Sequence, residues 1–281
     1  MSEYSVELKG LNKVYSNLLK EDTVALKDIN LQIRPGEFIS IIGPSGCGKS
    51  TLLRIIGNLD KPTSGTIEYR DGADQQMGFV FQDSVLLPWK NVRQNAEFPL
   101  VIQKKQTEEN EKKLDELLEL AGLSEFKTAL PRELSGGMKR KLMVCRALLT
   151  DPEILLLDEP TAGMDALSRR QMWNLLRKLN GKNLTILLTT HYMEEAQNLC
   201  SRVALMDHGK LEEVNTPAGL IDSLGNYTVD EFAGDETHSH YFHSREEAIA
   251  YLSGLSGQAS LRETTLEDVF VERAGRHLMP S

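Results

Sequence analysis

A glycine-rich loop ending in lysine lies at residues 43–51, where the chain reads GPSGCGKST. A short, nearly all apolar and β-branched run precedes it at residues 38–42, and apolar residues at helical spacing follow it at residues 52–56. A strand that leads through such a loop into a helix is the setting of a phosphate-binding loop. Because a strand of this kind is buried on both faces of a parallel sheet, the loop predicts an α/β fold.

Each residue type in the loop suits contact with a nucleotide triphosphate. Glycines let the backbone turn tightly and bring its N–H groups against phosphate oxygens, at the positive end of the following helix. Lys49 is then placed for the β- and γ-phosphates, and the Ser50 hydroxyl for a magnesium ion. The predicted nucleotide-binding residues of the loop are Gly43, Pro44, Ser45, Gly46, Cys47, Gly48, Lys49, Ser50 and Thr51.

Composition limits the partners that the chain can have. The net charge of -9 argues against a general nucleic-acid surface, so no nucleic-acid partner is predicted. The three cysteines lie far apart, which predicts neither a disulfide framework nor a zinc site. No apolar run approaches the ~20 residues of a membrane span, and the first ten residues lack the features of a secretory signal. Any membrane role is therefore expected to come through a partner.

Polar residues end or follow three further strand-like runs. Gln82 is the last residue of the run at 77–82, Asp158 and Glu159 follow an apolar run that begins at residue 154, and His191 comes shortly after another at 184–188. Ligands bind at the carboxyl ends of strands in open α/β sheets, so these side chains are predicted at one sheet edge. In a nucleotide site Asp158 would hold magnesium and Glu159 would polarise the attacking water. Taken singly, Gln82 could be a polar strand end and His191 a structural residue.

A second anion-receptive helix start lies far from the loop in sequence. Ser135 suits an N-cap, and Gly136 and Gly137 leave backbone donors accessible ahead of a helix at residues 139–149. One chain with two phosphate-facing helix ends needs an explanation.

The remaining segments divide into recognisable types. Residues 4–14 and 23–33 predict antiparallel strands, and residues 83–149 predict helices, with an apolar stripe at Leu114, Leu117, Leu118 and Ala121 expected in a core. We therefore predict a nucleotide-binding domain over 1–224, with its core at 1–82 and 150–224 and a helical subdomain at 83–149.

The chain after residue 224 predicts a small α+β extension, 225–281, with three strands and one helix. Its cluster of His238, His240 and His243 could be read as a metal site. However, no cysteine or neighbouring acidic pair completes such a site, and an exposed turn is enough to explain the histidines.

Together the motifs resemble the ATP-binding subunit of ABC transporters, over about residues 6–214. The resemblance identifies residues 43–50 as Walker A, Gln82 as the Q-loop, 134–137 as the signature, 154–159 as Walker B, Asp165 as the D-loop and His191 as the switch histidine. It also places Tyr15 where the family stacks an aromatic ring on adenine, although position alone equally suits a core or edge aromatic. Met138 and Met164 depart from the commonest signature and D-loop patterns.

The resemblance implies a RecA-like P-loop NTPase core and a mechanism. It makes ATP and Mg²⁺ the ligands, with Lys49, Gln82, Glu159 and His191 catalytic and with Ser50, Gln82 and Asp158 around the metal. ATP would lie between Walker A of one subunit and Ser135, Gly136 and Gly137 of a second copy or a paralogous ATPase subunit, with Asp165 nearby. The partner would be a membrane permease docked at the apolar patch of residues 85–89, and the subunit would sit peripherally on the cytoplasmic face of the membrane. The patch could instead be buried, but this role favours its exposure.

Two branches of the family compete. Residues 134–149, 189–196 and 265–270 resemble ATPases that export drugs, antibiotics and polysaccharides, whereas residues 86–92 resemble those of nitrate, sulfonate and taurine importers. Because the carboxy-terminal match is the more specific to a branch, the sequence favours export.

Three other classes of protein with a phosphate-binding loop fit the sequence less well. A DNA-repair ATPase would carry a long coiled coil between Gln82 and Ser135, a translation factor would have two cassettes, and a small-molecule kinase would lack the Ser135 motif.

Overall fold

A computed structural model describes residues 3–16, 22–70, 77–234 and 236–278; the ends of the predicted ranges, 1–2 and 279–281, lie outside it. The strands are β1 (Val6–Ser16), β2 (Asp22–Ile33), β3 (Phe38–Ile42), β4 (Ser64–Tyr69), β5 (Met77–Val80), β6 (Ile154–Asp158), β7 (Thr185–Thr190), β8 (Arg202–Asp207), β9 (Lys210–Asn215), β10 (Tyr227–Ala233), β11 (Glu236–Phe242) and β12 (Gln258–Glu263). The helices are α1 (Lys49–Ile56), α2 (Val92–Ala96), α3 (Phe98–Gln103), α4 (Glu108–Leu120), α5 (Gly136–Leu148), α6 (Ala166–Asn180), α7 (Met193–Leu199), α8 (Pro217–Leu224), α9 (Arg245–Gly254) and α10 (Leu266–Leu278).

The central sheet has the order β5-β6-β7-β3-β8-β9, with β9 antiparallel to β8 and the other neighbouring pairs parallel. Every residue of β3, β6 and β7 is buried, as their continuous apolar runs predict. In the register, Ile42 lies beside Thr190, and Asp158 lies beside Thr189. The loop at residues 43–51, the carboxylates after β6 and the histidine after β7 therefore emerge at one edge. The α/β P-loop NTPase fold is confirmed.

A second, antiparallel sheet has the order β2-β1-β4. Its apolar residues, among them Val6, Leu26 and Ile33, share one buried cluster with Leu52 and Ile56 of α1 and with the central sheet. The two predicted antiparallel strands are confirmed, although β1 runs two residues further than expected, to Ser16. The first strand of the chain thus helps to hold the helix that follows the phosphate loop.

Residues 83–149 contain helices α2 to α5 and no strand, as predicted, and their apolar residues form a cluster of their own. Leu114, Leu118 and Ala121 of the predicted stripe are buried there, and Leu117 packs partly against them. One boundary differs from the expectation: β5 ends at Val80, so Gln82 lies in the segment after the strand rather than at its last position. The chain is free of ladder hydrogen bonds at that point, which lets the Gln82 side chain turn toward the site.

The C-terminal sheet β11-β10-β12 is antiparallel, and α9 packs on it. Ser244 caps α9 by accepting a hydrogen bond from the Glu247 backbone N–H at 3.2 Å, a role for which serine is among the preferred residues. Helix α10 was not predicted: its Leu266 and Val269 join the main hydrophobic cluster of the central sheet.

Two absences apply to the described ranges only. They contain no group of three or more histidine, cysteine and carboxylate side chains placed to hold a metal ion. None of their helices has both the length and the apolar character needed to cross a bilayer.

Candidate functional site

The loop between β3 and α1 has the backbone that phosphate binding requires. Gly46 and Gly48 have φ values of +81° and +111°, which side chains other than glycine rarely adopt. A Cβ at Gly43 would come 2.1 Å from the Met206 carbonyl oxygen, whereas one at Gly46 would meet nothing within 4 Å. The loop is therefore pressed against β8 on one side and open on the other, where an anion could approach its N–H groups.

Lys49 is the first residue of α1 and is buried. Its Nζ donates hydrogen bonds to the carbonyl oxygens of Gly43 (2.8 Å) and Pro44 (2.9 Å). The ammonium group thus lies across the start of its own loop. A nucleotide phosphate at the loop would be within reach of this charge through a small rotation of the side chain.

Asp158 is buried at the end of β6 and receives two hydroxyl hydrogen bonds on the same oxygen. Ser50 Oγ donates to Asp158 Oδ1 at 2.9 Å, and Thr189 Oγ1 donates to it at 2.6 Å. The sequence analysis predicted Asp158 and Ser50 but missed Thr189. The only signal was its place at the polar end of an apolar strand. These bonds hold the carboxylate in a fixed orientation next to the phosphate loop.

Glu159 is contacted by two other predicted residues, Gln82 and His191. Its backbone φ is +47°, a strained value for a non-glycine residue, and its N–H donates to the Thr189 carbonyl oxygen at 3.1 Å. Gln82 Nε2 donates to Glu159 Oε2 at 3.2 Å, and His191 Nδ1 lies 3.3 Å from that oxygen. Residues from three strand ends therefore meet at one carboxylate oxygen.

Oxygen donors suited to magnesium lie together at this edge. The Ser50 hydroxyl, the Asp158 carboxylate and the Gln82 side-chain amide supply the hard oxygen ligands that Mg²⁺ prefers. Ser50 and Asp158 are already in hydrogen-bond contact, beside a glycine cradle with open space above Gly46. These residues fit a magnesium nucleotide.

Tyr15 lies near the end of β1 with 42% of its surface exposed. Its hydroxyl donates to Asp60 Oδ2 at 2.7 Å, and Lys13 Nζ lies 4.6 Å from the ring centroid. Hydrogen bonds from Lys13 and Tyr15 lower the pKa of Asp60 to about 2. Burial and Asp60 raise the pKa of Tyr15, whereas a hydrogen bond with Thr51 lowers it. The exposed ring is thus held in place close to the phosphate loop.

The other predicted ATP-binding residues form a second group at the start of two helices. Ser135 Oγ caps α5 by accepting from the Met138 N–H at 3.2 Å, and Asp165 Oδ1 caps α6 by accepting from the Ser168 N–H at 2.9 Å. A Cβ at Gly137 would come 3.1 Å from Ser168 Cβ, so the two helix starts touch. Gly136 faces open space. Among the described contacts, none joins this group to residues 43–51.

The segment after Gln82 is exposed and tied to α5. Within the apolar patch of residues 85–89, Trp89 is 72% exposed and Val85 43%, as expected of a docking surface, whereas Leu86 is partly buried against the helical core. Arg140 Nη1 donates to the Phe81 carbonyl oxygen at 2.7 Å, and Arg146 Nη1 donates to that of Val85 at 2.9 Å. Two arginines of α5 therefore hold the segment that carries Gln82.

Comparison with known proteins identifies relatives that bind ATP. A sequence profile of the family described as ABC transporter matches residues 26–162. The chain is 34% identical over 241 residues to the spermidine/putrescine import ATP-binding protein PotA of Oleidesulfovibrio alaskensis, a match that includes 83% of the chain and 63% of that protein. It is 39% identical over 218 residues to the probable sulfate/thiosulfate import ATP-binding protein CysA of Chlorella vulgaris, a match that includes 75% of the chain and 92% of that protein.

The fold is similar to that of solved ATP-binding cassettes. A dimeric ATP-binding cassette in a post-hydrolysis state, bound to ADP and Pi, superposes with a TM-score of 0.68 at 36% identity, covering 75% of the chain and 98% of the cassette. The match to the PotA proteins spans 63% of their length. The relatives and the fold lead to one family, and the chain belongs to the ATP-binding proteins of ABC transporters.

Proposed function

We propose that the chain is an ATP-hydrolysing subunit of an ABC transporter, converting ATP and water to ADP and phosphate. One observation carries the proposal: Gln82 and His191 both contact Glu159 Oε2, beside the Ser50–Asp158 pair at the mouth of the phosphate loop. A site that only bound nucleotide would have no need for two polar side chains from neighbouring strand ends to meet at the carboxylate oxygen of a third residue.

Each residue has a distinct part in the proposed reaction. Lys49 and the loop N–H groups bind the β- and γ-phosphates, and Tyr15 stacks on the adenine ring. A bound Mg²⁺ would neutralise developing charge, held by Ser50, Asp158 and Gln82. Glu159 orients and polarises the attacking water, and His191 and Gln82 hold its carboxylate toward the γ-phosphate.

The second group of residues supports a shared site. Ser135, Gly136, Gly137 and Asp165 have the character of an anion-binding surface but lie apart from the loop of their own chain. We infer that they complete the ATP site of a second copy, or of a paralogous subunit, in a head-to-tail dimer. The dimeric state of the cassette bound to ADP and Pi supports this arrangement.

The exposed patch at residues 85–89 supports a membrane partner. An exposed tryptophan beside a valine and a proline is typical of a docking surface. We infer that it receives a cytoplasmic helix of a permease, which would place the subunit peripherally on the cytoplasmic face of the membrane.

The relatives favour import as the direction. PotA and CysA are both named as import ATP-binding proteins, which supports the importer alternative over the export branch that the sequence analysis favoured. Export remains a second candidate, resting on the resemblance of residues 265–270.

One measurement distinguishes import from export. With its permease in liposomes, an importer hydrolyses ATP faster when a substrate-loaded external binding protein is added, whereas an exporter responds to substrate alone.

We also propose that residues 1–224 form the ATPase domain, with its core at 1–82 and 150–224 and a helical subdomain at 83–149, and that 225–281 is an extension. Helix α10 of the extension returns to the ATPase core through Leu266 and Val269.

Phosphate release tests the activity. We expect magnesium-dependent release from ATP that rises more than linearly with protein concentration, because a dimer is the active form. The Lys49→Ala variant is the control and should lose the activity. Release that is linear in protein concentration, or unchanged in that variant, would contradict the shared site or the nucleotide site respectively.

A further inference from the structure

A carboxyl group lies fully buried one helical turn after His191. Glu195 of α7 is 0% exposed, within a cluster that is otherwise mainly apolar. Burial raises the pKa of this carboxyl above its usual range. Because burying a carboxyl costs free energy that an apolar side chain would not, the residue needs a reason to be there.

Glu195 joins three segments of the chain through one oxygen. Its Oε1 accepts a hydrogen bond from Thr161 Oγ1 at 3.0 Å and another from Trp173 Nε1 at 3.0 Å. Thr161 belongs to the turn after β6, Trp173 to α6 and Glu195 to α7. The carboxyl therefore fixes the turn after β6 relative to the helix after β7.

Both ends of this connection lead to the reacting groups. Thr161 is fully buried two residues after Glu159, and the next residue, Ala162, donates its N–H to the Glu159 carbonyl oxygen at 3.2 Å. On the other side, the Glu195 N–H donates to the carbonyl oxygen of Tyr192, the residue after His191, at 3.1 Å. The Thr161–Glu195 hydrogen bond thus joins two segments that each carry one partner of the contact between Glu159 and His191.

The second oxygen of the carboxyl is less well satisfied. Glu195 Oε2 accepts no well-formed hydrogen bond among the described residues, and Nε of the nearby Arg169 donates none. Burial is the main influence on the pKa of the carboxyl and raises it, whereas Thr190 and the charge of Arg169 act in the opposite direction. The Arg169 guanidinium instead lies 4.3 Å from the centroid of the Tyr192 ring. A half-satisfied buried carboxyl is a poor stabilising element, so its contribution is better sought in the geometry that Oε1 imposes.

We propose that Glu195 is a positioning residue for ATP hydrolysis, whose bond to Thr161 holds the segments of Glu159 and His191 in register. The inference rests on the proposed function and deepens it. Glu195 contacts neither nucleotide nor water in this role. It should therefore affect turnover and leave nucleotide binding by the phosphate loop unchanged.

Four variants separate positioning from simple stability. Glu195→Leu fills the same space without an acceptor, and Thr161→Val removes one donor without emptying the pocket. We expect each to lower kcat by about tenfold or more, with the KM for ATP within about twofold of wild type. Glu195→Gln keeps the Oε1 acceptor and should retain most of the activity. Leu176→Ala, at a buried position of α6, should lower the melting temperature and leave kcat intact below it.

The double variant gives the decisive comparison. If the two residues act through one hydrogen bond, Thr161→Val combined with Glu195→Leu should be no slower than the worse single variant. Multiplied effects, or wild-type kcat in both single variants, would overturn the proposal. If Glu195→Leu and Thr161→Val instead behave as Leu176→Ala is expected to, with a lower melting temperature and an intact kcat below it, the proposal would also be overturned. Failure of the wild-type protein to hydrolyse ATP would instead contradict the proposed function.

Discussion

His191 Nδ1 lies 3.3 Å from Glu159 Oε2, although 31 residues separate the two in the chain. Each residue immediately follows a strand, and those strands, β6 and β7, are hydrogen-bonded neighbours. The contact is therefore set by the register of the sheet, with Asp158 opposite Thr189. A parallel sheet of buried strands is one of the more rigid supports on which to place reacting groups.

Glu159→Gln should keep ATP binding and lose turnover, because the amide can still lie beside Gln82 and His191 but cannot act as a base. We expect hydrolysis to fall by about 100-fold or more and ATP to trap the dimer, seen by phosphate release and by size-exclusion chromatography with ATP. Glu153→Gln, an exposed change just before the opposite end of β6, is the matched control. Undiminished steady-state hydrolysis by Glu159→Gln would refute the assignment.

A mixture of two inactive variants tests the shared site. Lys49→Ala disables the phosphate loop, and Ser135→Arg blocks the opposing helix start with a bulky charge. Each variant alone should be inactive as a dimer. Mixed dimers have one site in which both halves are intact, so an equimolar mixture should recover part of the wild-type rate. If the mixture forms dimers but stays as inactive as its components, the two groups of residues do not share a nucleotide.

Tyr15→Ala should weaken nucleotide binding without slowing turnover at saturating ATP. Base-to-aromatic stacking is worth about 1–3 kcal/mol, so the KM for ATP should rise by about fivefold or more. Tyr15→Phe keeps the ring but loses the hydrogen bond to Asp60, and should show a smaller rise. Val24→Ala, also exposed and on the adjacent strand, serves as the control. An unchanged KM in Tyr15→Ala would show that Tyr15 does not stack on the adenine ring and is only an edge aromatic.

Cys47 should react slowly with a bulky thiol reagent at neutral pH. Its side chain is 6% exposed, and burial raises its pKa, although the charge of Lys49 acts in the opposite direction. Since the thiolate is the nucleophile and the pKa is raised, the thiol is neutral at pH 7 and inactivation should accelerate about tenfold per pH unit above it.

ATP should protect against this inactivation, and Cys47→Ala should resist it. Inhibition that persists unchanged in Cys47→Ala would place the reactive thiol elsewhere. A rate independent of pH between 7 and 8 would contradict the raised pKa.

Most of the site was predictable because its residues follow strands that the sequence marks clearly. Runs such as residues 154–157 and 184–188 are continuous and apolar, so both the strands and the edge at which Glu159 and His191 emerge follow from them. The glycines of the phosphate loop are equally legible, since their positive φ values are a local requirement.

Other features depend on tertiary contacts that have no local signature. Thr189 and Glu195 were missed because a threonine at a strand end and a glutamate in a seven-residue helix look the same whether exposed or buried. Periodicity cannot define a buried face over so short a helix. Helix α10 was missed because its apolar positions match the core of the central sheet, far away in sequence.

The arginines of α5 bind the stretch after β5 at two points, Phe81 and Val85, and the same helix begins at Ser135. In the proposed dimer, Gln82 would contact the nucleotide bound by its own subunit, while Ser135 would contact the nucleotide bound by the other subunit. A permease bound at Trp89 would therefore contact one unit, the segment after β5 and helix α5, that reaches both nucleotides. One mechanical input could then set the timing of two hydrolysis events.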